Sequence, residues 1–402
     1  MLVFWFCYLA VNAQSSLVLA ASMDNNSDLN SINKQLAFPS AQGYGAYARG
    51  GRGGDVVFVV NLNDSGPGSL RWAIEDLEVP RIVIFRIAGV ISLKKNIVIR
   101  HPFLTLAGQS APGDGVCLKG AGIVIKSNDI IIRHMCIRPG DGAGEKARLR
   151  DGIAFDRATN SIVDHISVSW TLDESMQVWY PQTQNNTVQY SVFSEPLNAR
   201  QLRPDQGHPH GYGPLVGDGG SRFSFHHNVI AFSQRRNPRV SNFTDVDIVN
   251  NIVYKFGSVG TQVNDKRTKK PSTGINIVNN FYRFKGSVPA IQILKNTAQS
   301  AVYIAGNKRF PLRNVNSIYV EIGSINAVSQ LLTRKVHNIH LQSAEQVWES
   351  LLENVGAFKP VVDPVDLQLF SDLRNGTGNI IDCVDRESLS NSLLNKSECK
   401  YE

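Results

Sequence analysis

Cysteine is scarce: five of the 402 residues, with no C-x-x-C pair among them. That spacing gives no zinc finger or ribbon to hold the chain together. No apolar run approaches the roughly 20 residues needed to cross a bilayer as a helix. Lys and Arg outnumber Asp and Glu by 41 to 34, a net charge of +7, but no block of basic residues exists. Dispersed positive charge argues against a basic nucleic-acid arm and leaves anionic lipid or an acidic polysaccharide as the expected partner. The glycine-rich stretches "GGRGG" and "GDGAGEK" do not complete G-x-x-x-x-G-K-[ST], so no phosphate loop is present. Long helical periodicity is also missing through most of the chain, which excludes a fold built on βαβ crossovers.

The N-terminus reads "MLVFWFCYLAVNAQSS". Its apolar stretch, Leu2 to Val11, and the small-residue pattern ending at Ala13 match a secretory signal peptide within residues 1–21. An exported chain makes an even set of remaining cysteines meaningful: Cys117 with Cys136, and Cys383 with Cys399, are the candidate disulfides, the first pair being equally readable as stacked thiols. Asn63, Asn185, Asn242, Asn375 and Asn395 head glycosylation sequons, usable in a eukaryotic secretory pathway.

From about residue 80 the chain alternates short Val/Ile-rich stretches with Gly, Asn and Asp turns. Segments such as "SNDIIIRHMCIR", "ATNSIVDHISVSW", "SRFSFHHNVIAF" and "VDIVNNIVYKF" align with one another. The recurring polar position is read at His134, His165, Ser191, Asn228, Asn251 and Asn280, with separations of 31, 26, 37, 23 and 29 residues. A variable unit of this size fits a solenoid whose coils share one core. The expected fold is all-β, a right-handed parallel β-helix over 37–325, with the recurring polar residues as an internal hydrogen-bonded ladder. "GPGSLRWAIEDL" is expected to be a short helix capping the first coil. "SAEQVWESLLENVG" carries a Ser343/Gln346 capping box and one apolar face. Residues 326–402 are therefore read as a helix and a Pro/Asp-rich tail packed on the solenoid.

Six segments in order, "AFPSAQGYGAYARGGRGGDVVFVVNLNDSGPGSLRWAI", "LTLAGQSAPGDGVCLKG", "DHISVSWTLDE", "HGYGPLVG", "HHNVIAF" and "RRNPR", resemble the pectate lyases of polysaccharide lyase family 1, the secreted branch with an HGYG loop. The resemblance implies a parallel β-helix, Ca²⁺ as cofactor and cleavage of de-esterified polygalacturonate by β-elimination. It also implies a secreted enzyme with an acidic polysaccharide as partner, no nucleic acid, no membrane once the signal is removed, and a monomer.

That chemistry removes a weakly acidic proton beside a carboxylate, so it needs charge neutralisation and a base within reach. By resemblance, Asp151 and Asp173 are calcium ligands, Gln177 stands where relatives have a second carboxylate, and the adjacent Glu174 compensates. Arg236 of "RRNPR" corresponds to the catalytic base. Arginine is ordinarily always protonated; Ca²⁺, Arg235 and Arg239 nearby would all disfavour its charge. Arg235 and Arg239, with Arg203, His210 and Tyr212 around the HGYG loop, are the candidate substrate-binding residues. Pro238 is expected to fix φ where the chain leaves a strand. Ser241 replaces a second family arginine and the family's lysine near the loop is missing, so altered subsites are expected.

Asp156 and Asp164 read as structural. Asp164-His165 is expected as a structural pair beneath the cleft. His226 and His227, adjacent on a strand, should point to opposite faces and so not share a metal. Three alternatives remain at this point. One is a lyase on another uronate polymer. Another is a glycosidase, which would need a carboxylate pair the arginine region lacks. The last is a non-catalytic glycan-binding solenoid.

Overall fold

In the computed structural model, residues 35–199, 209–217, 219–264, 272–294, 302–310, 320–322, 336–357 and 360–384 are described. The signal region, Arg203, Asn395 and Cys399 lie outside them.

The Val/Ile runs become short strands in three parallel sheets of ten, nine and nine strands. Successive coils contribute one strand to each sheet, giving a right-handed parallel β-helix. Alternation along each strand sends every second side chain inward. One inward column in the ten-stranded sheet runs Val83, Leu106, Ile132, Val163, Val188, Phe225, Ile248 and Ile277, each aligned with the next. All are essentially inaccessible to solvent. Burying such side chains contributes roughly 1.5–3 kcal/mol each.

The polar ladder exists, shifted by one residue at its N-terminal end. Asn228, Asn251, Asn280 and Asn307 each accept, through Oδ1, the backbone N–H of the preceding coil's residue at 2.9 Å. Each also donates from Nδ2 to a carbonyl inside the coil. Ser191 accepts from the N–H of Ile166, 25 residues earlier, so Ile166 and not His165 holds the ladder position. His134, His165 and His227 belong to the column one residue before. There His134, His165, Tyr190, His227, Asn250 and Asn279 all adopt left-handed backbone, with φ between 47° and 54°. The rings of His134, His165, Tyr190 and His227 stack with centroids 4.9–5.2 Å apart. A one-residue slip exchanges an inward position for an outward one, which is why aligning on any polar residue merged the two columns.

A helical turn at Trp72–Asp76 covers the first coil. The buried Arg81 guanidinium holds two of its carbonyls, donating to Ala73 O at 2.6 Å and Ile74 O at 2.5 Å. At the other end, α1 (Ala344–Ser350) carries the expected capping box. The Pro/Asp-rich stretch is not simply a tail. It contains α2 (Pro364–Asn375), with Asp363 as N-cap, proline in the first turn and Gly376 in the left-handed cap. Both helices bury apolar faces on Val192, Val229, Ile252 and Phe281 of the second nine-stranded sheet. Cys117 and Cys136, aligned on neighbouring strands, form a disulfide. Cys383 is also disulfide-bonded.

Candidate active site

The nine-stranded sheet containing Ile97–Ile99, Ile123–Ile125, Ile153–Asp156, Met176–Trp179, Leu215–Gly217 and Arg239–Ser241 floors an open cleft of about 1000 Å³. Its outward row runs Val98, Val124, Ala154, Gln177, Leu215 and Arg239, one residue per coil. The turns leading into these strands carry the charged residues.

Those turns are fixed by backbone bridges. Glu174 pairs with Tyr212, and Tyr212 with Arg235. Asp151 joins the set from the coil before, its Oδ1 accepting the Glu174 N–H at 3.0 Å. The buried Arg150 shapes the loop ahead of it, donating to the carbonyls of Gly140 at 2.7 Å, Gly142 at 2.9 Å and Glu145 at 2.9 Å. Arg150 is thus spent on carbonyls and not on Asp151. The HGYG motif has a geometric reason: Gly211 takes φ 61°, and a Cβ on Gly213 would strike the Arg236 carbonyl.

The structure brings Asp151, Asp173, Glu174, Gln177, His210, Tyr212, Arg235, Arg236 and Arg239 to the one cleft. Arg236 pairs with Glu174. Its guanidinium carbon lies 4.2 Å from the centroid of Tyr212, and that of Arg235 lies 4.7 Å from it. His210 Nε2 is 2.6 Å from Asp173 Oδ1, and its ring packs on Tyr212. His210 and Tyr212 are each 3% exposed, so they support the cleft floor more than they face solvent. Gln177 donates its amide to Asp151 and accepts from Trp179 Nε1. Ser241 donates to Asn264 O at 2.7 Å, below Arg239. Pro238 follows a cis peptide and lies where the chain enters the strand Arg239–Ser241, not where it leaves one.

Asp156 lines the far half of the cleft, paired with Lys126 at 2.7 Å and with Arg157. Asp164 and His165 are not beneath the cleft. Asp164 ends the strand Thr159–Asp164 of the ten-stranded sheet and His165 opens the turn after it; Asp164 accepts from Arg133 Nε and from Gln189 Nε2, both at 2.7 Å, and lies 2.8 Å from His165 Nδ1. Burial pushes the Asp164 carboxyl up, but His165 and Arg133 outweigh it and hold it below the ordinary carboxylate value. His226 and His227 do not diverge: left-handed backbone at His227 turns the chain, and their Nδ1 atoms lie 2.9 Å apart. Burial keeps both neutral, His227 being lowered to about 4.

The donor set suits a divalent cation. Asp173, Glu174 and His210 bring ligating atoms within 4.8 Å of one another, with Asp151 hydrogen-bonded beside them. Carboxylates and an amide oxygen are what calcium prefers; the neighbouring imidazole leaves the cluster open to other divalent metals. A second such trio is His134, Asp164 and His165.

Reasoning from motifs missed the far half of the cleft, lined by Lys95, Arg100, Lys126 and Arg148. Arg100 and Lys126 each follow an "IVI" strand directly, so their signal was a repeat position and not a motif.

No protein-family model matches the chain. A probable pectate lyase C of Aspergillus terreus is 31% identical over 353 residues, covering 86% of this chain and 78% of that protein. A probable pectate lyase C of Emericella nidulans is 40% identical over 226 residues, 56% of this chain and 49% of that one. Among solved structures, jun a 1, the major allergen from cedar pollen, superposes with a TM-score of 0.61 at 16% identity, covering 80% and 93% of the two chains. A pectate lyase bound to hexasaccharide gives 0.57 at 15% identity, covering 81% and 98%. At such identities the solved structures speak for the fold.

Proposed function

Since the chain belongs to the pectate lyases of polysaccharide lyase family 1, we propose that it cleaves de-esterified polygalacturonate by β-elimination, in a calcium-dependent reaction that leaves a 4,5-unsaturated sugar at the new end. The observation that carries this reading is the meeting of Arg236 with the carboxylates of Asp151, Asp173 and Glu174 in one cleft.

Each chain residue has a defined task in this scheme. Arg235 and Arg239 flank Arg236 and offer guanidinium forks to substrate carboxylates. A calcium ion held by Asp151, Asp173 and Glu174, with Gln177 beside them, would neutralise the carboxylate next to the reacting carbon. Arg236 is placed to act on the C5 proton, as base or as the hydrogen-bonding partner of the group that removes it. Tyr212 supports the guanidiniums from below, and His210 fixes the rotamer of Asp173. The protein is read as a secreted monomer; no described helix is long and apolar enough to cross a membrane.

The test follows the ultraviolet absorbance of unsaturated uronate on polygalacturonate, alginate and methylated pectin, with Ca²⁺ or chelator. A calcium-dependent rise on polygalacturonate is expected. No rise on any uronate polymer would overturn the lyase reading, and a rise on alginate alone would move the substrate.

A further inference from the structure

Three side chains that line the cleft are joined by hydrogen bonds into a line ending at the acidic cluster. Gln177 and Trp179 lie two residues apart on the strand Met176–Trp179, so both project outward from the same face, each half-buried. Trp179 Nε1 donates to Gln177 Oε1, and Gln177 Nε2 donates to Asp151 Oδ2. The other Asp151 oxygen accepts the Glu174 N–H at 3.0 Å.

The chemistry of the three groups fixes the direction of this line. An indole N–H can only donate, and an ionised carboxylate can only accept. An amide held between them satisfies both in one orientation, with its oxygen towards Trp179 and its nitrogen towards Asp151. The neighbours in the outward row do not compete for it. Gln177 is aligned with Ala154 in the coil before and with Leu215 in the coil after, and neither side chain has a polar atom. Calcium takes oxygen ligands, yet Gln177 turns its nitrogen to the carboxylate and gives its oxygen to the indole. A carboxylate has about four lone-pair sites, so Asp151 held in this way can still ligate a cation.

We propose that Trp179 and Gln177 are positioning residues for the cation site and not ligands of it. The indole locks the amide, and the amide holds Asp151 beside Glu174. The proposal deepens the calcium-dependent reading above and rests on it.

The experiment titrates calcium chloride by calorimetry, without substrate, into the full chain as wild type, Trp179→Phe, Gln177→Leu and the double variant. Melting temperature is measured for each. Trp179→Phe removes the N–H and keeps an aromatic ring. Groups that orient metal ligands account for roughly 10–100-fold in affinity, so each single variant should weaken calcium binding about tenfold. The double variant should also lose about tenfold and not about a hundredfold, because two links of one chain do not act independently. A ligating Gln177 gives the opposite sign: without the indole N–H its oxygen is released to the metal, and Trp179→Phe binds calcium more tightly. Tighter or unaltered binding in Trp179→Phe, unaltered binding in Gln177→Leu, or losses that multiply in the double variant overturn the proposal. So does a lower melting temperature with calcium affinity unchanged, which is the mark of a merely structural tryptophan. A wild type that binds no calcium overturns the calcium reading itself.

Discussion

Arg236 reaches over the ring of Tyr212 to pair with Glu174, a residue carried by the turn two coils earlier. The proposed base and a proposed metal-binding carboxylate are thus direct partners. A cation that takes up Glu174 competes with Arg236 for it, which ties metal occupancy to the freedom of the guanidinium.

Arg236→Lys keeps a positive charge but loses the planar fork. Turnover should fall by about 10²–10³, the range for losing one well-placed stabilising group, while circular dichroism stays that of the wild type. Initial rates of unsaturated-uronate formation measure it; full activity in the lysine variant would exclude the assigned role.

His210→Ala should loosen Asp173, its partner at 2.6 Å. Groups that orient metal ligands typically account for 10–100-fold in affinity, so calcium titration by calorimetry should show a loss of that order without substrate present. A merely structural histidine would lower thermal stability and leave calcium affinity alone.

Asn251→Ala removes a side chain that serves both neighbouring coils: it accepts from the N–H of Asn228 and donates to Phe225 O in the coil before, and donates to Asn280 Oδ1 in the coil after. Buried partners left without a bond cost about 1–3 kcal/mol each. Denaturant unfolding should show a loss on the order of 2–5 kcal/mol, whereas Asn276→Ala, outside the ladder and donating to Asp247 Oδ1, should cost less.

Asp366 of α2 is buried against Ser167 of the solenoid, and its Oδ1 accepts from Arg138 Nη2 at 3.1 Å. Burial, and then the nearby charge of Asp363, push its carboxyl up to about 7 against the pull of Arg138 and Ser167. The folded protein therefore keeps a proton that the unfolded chain releases near its ordinary value of about 4. The stability this contributes is present at low pH and is lost as pH rises towards about 7. Melting temperature should fall between about pH 4 and about pH 7, and Asp366→Asn should flatten that slope. A slope unaltered by the substitution would place the titration elsewhere.

The β-helix was legible because its information is repetitive: Val/Ile alternation and turn residues recur in every coil. The ladder's register was legible only where asparagine itself recurs, from Asn228 onward; at His134 and His165 a polar residue of the adjacent column stood in for it. The helix α2 was hidden by a Pro/Asp-rich composition that, read in place, is an N-cap and a first turn. Among the residues that line the cleft, Asp151, Asp173, Glu174, Arg235, Arg236 and Arg239 lie in motifs. Arg100 and Arg148 belong to no motif.

Sequence alone determined the coil, the capping box of Ser343 and Gln346, and the types of charged residue available for chemistry. These depend on local preference and on period, which a linear chain carries in full. Tertiary structure decided which charges meet. Glu174, Tyr212 and Arg235 become neighbours because insertions of different length are absorbed outside the sheets while the strands keep register. His226 and His227 face each other, and Asp164 leaves the cleft, because left-handed residues turn each coil at a fixed place. Coil spacing, not distance along the chain, sets what a side chain can touch.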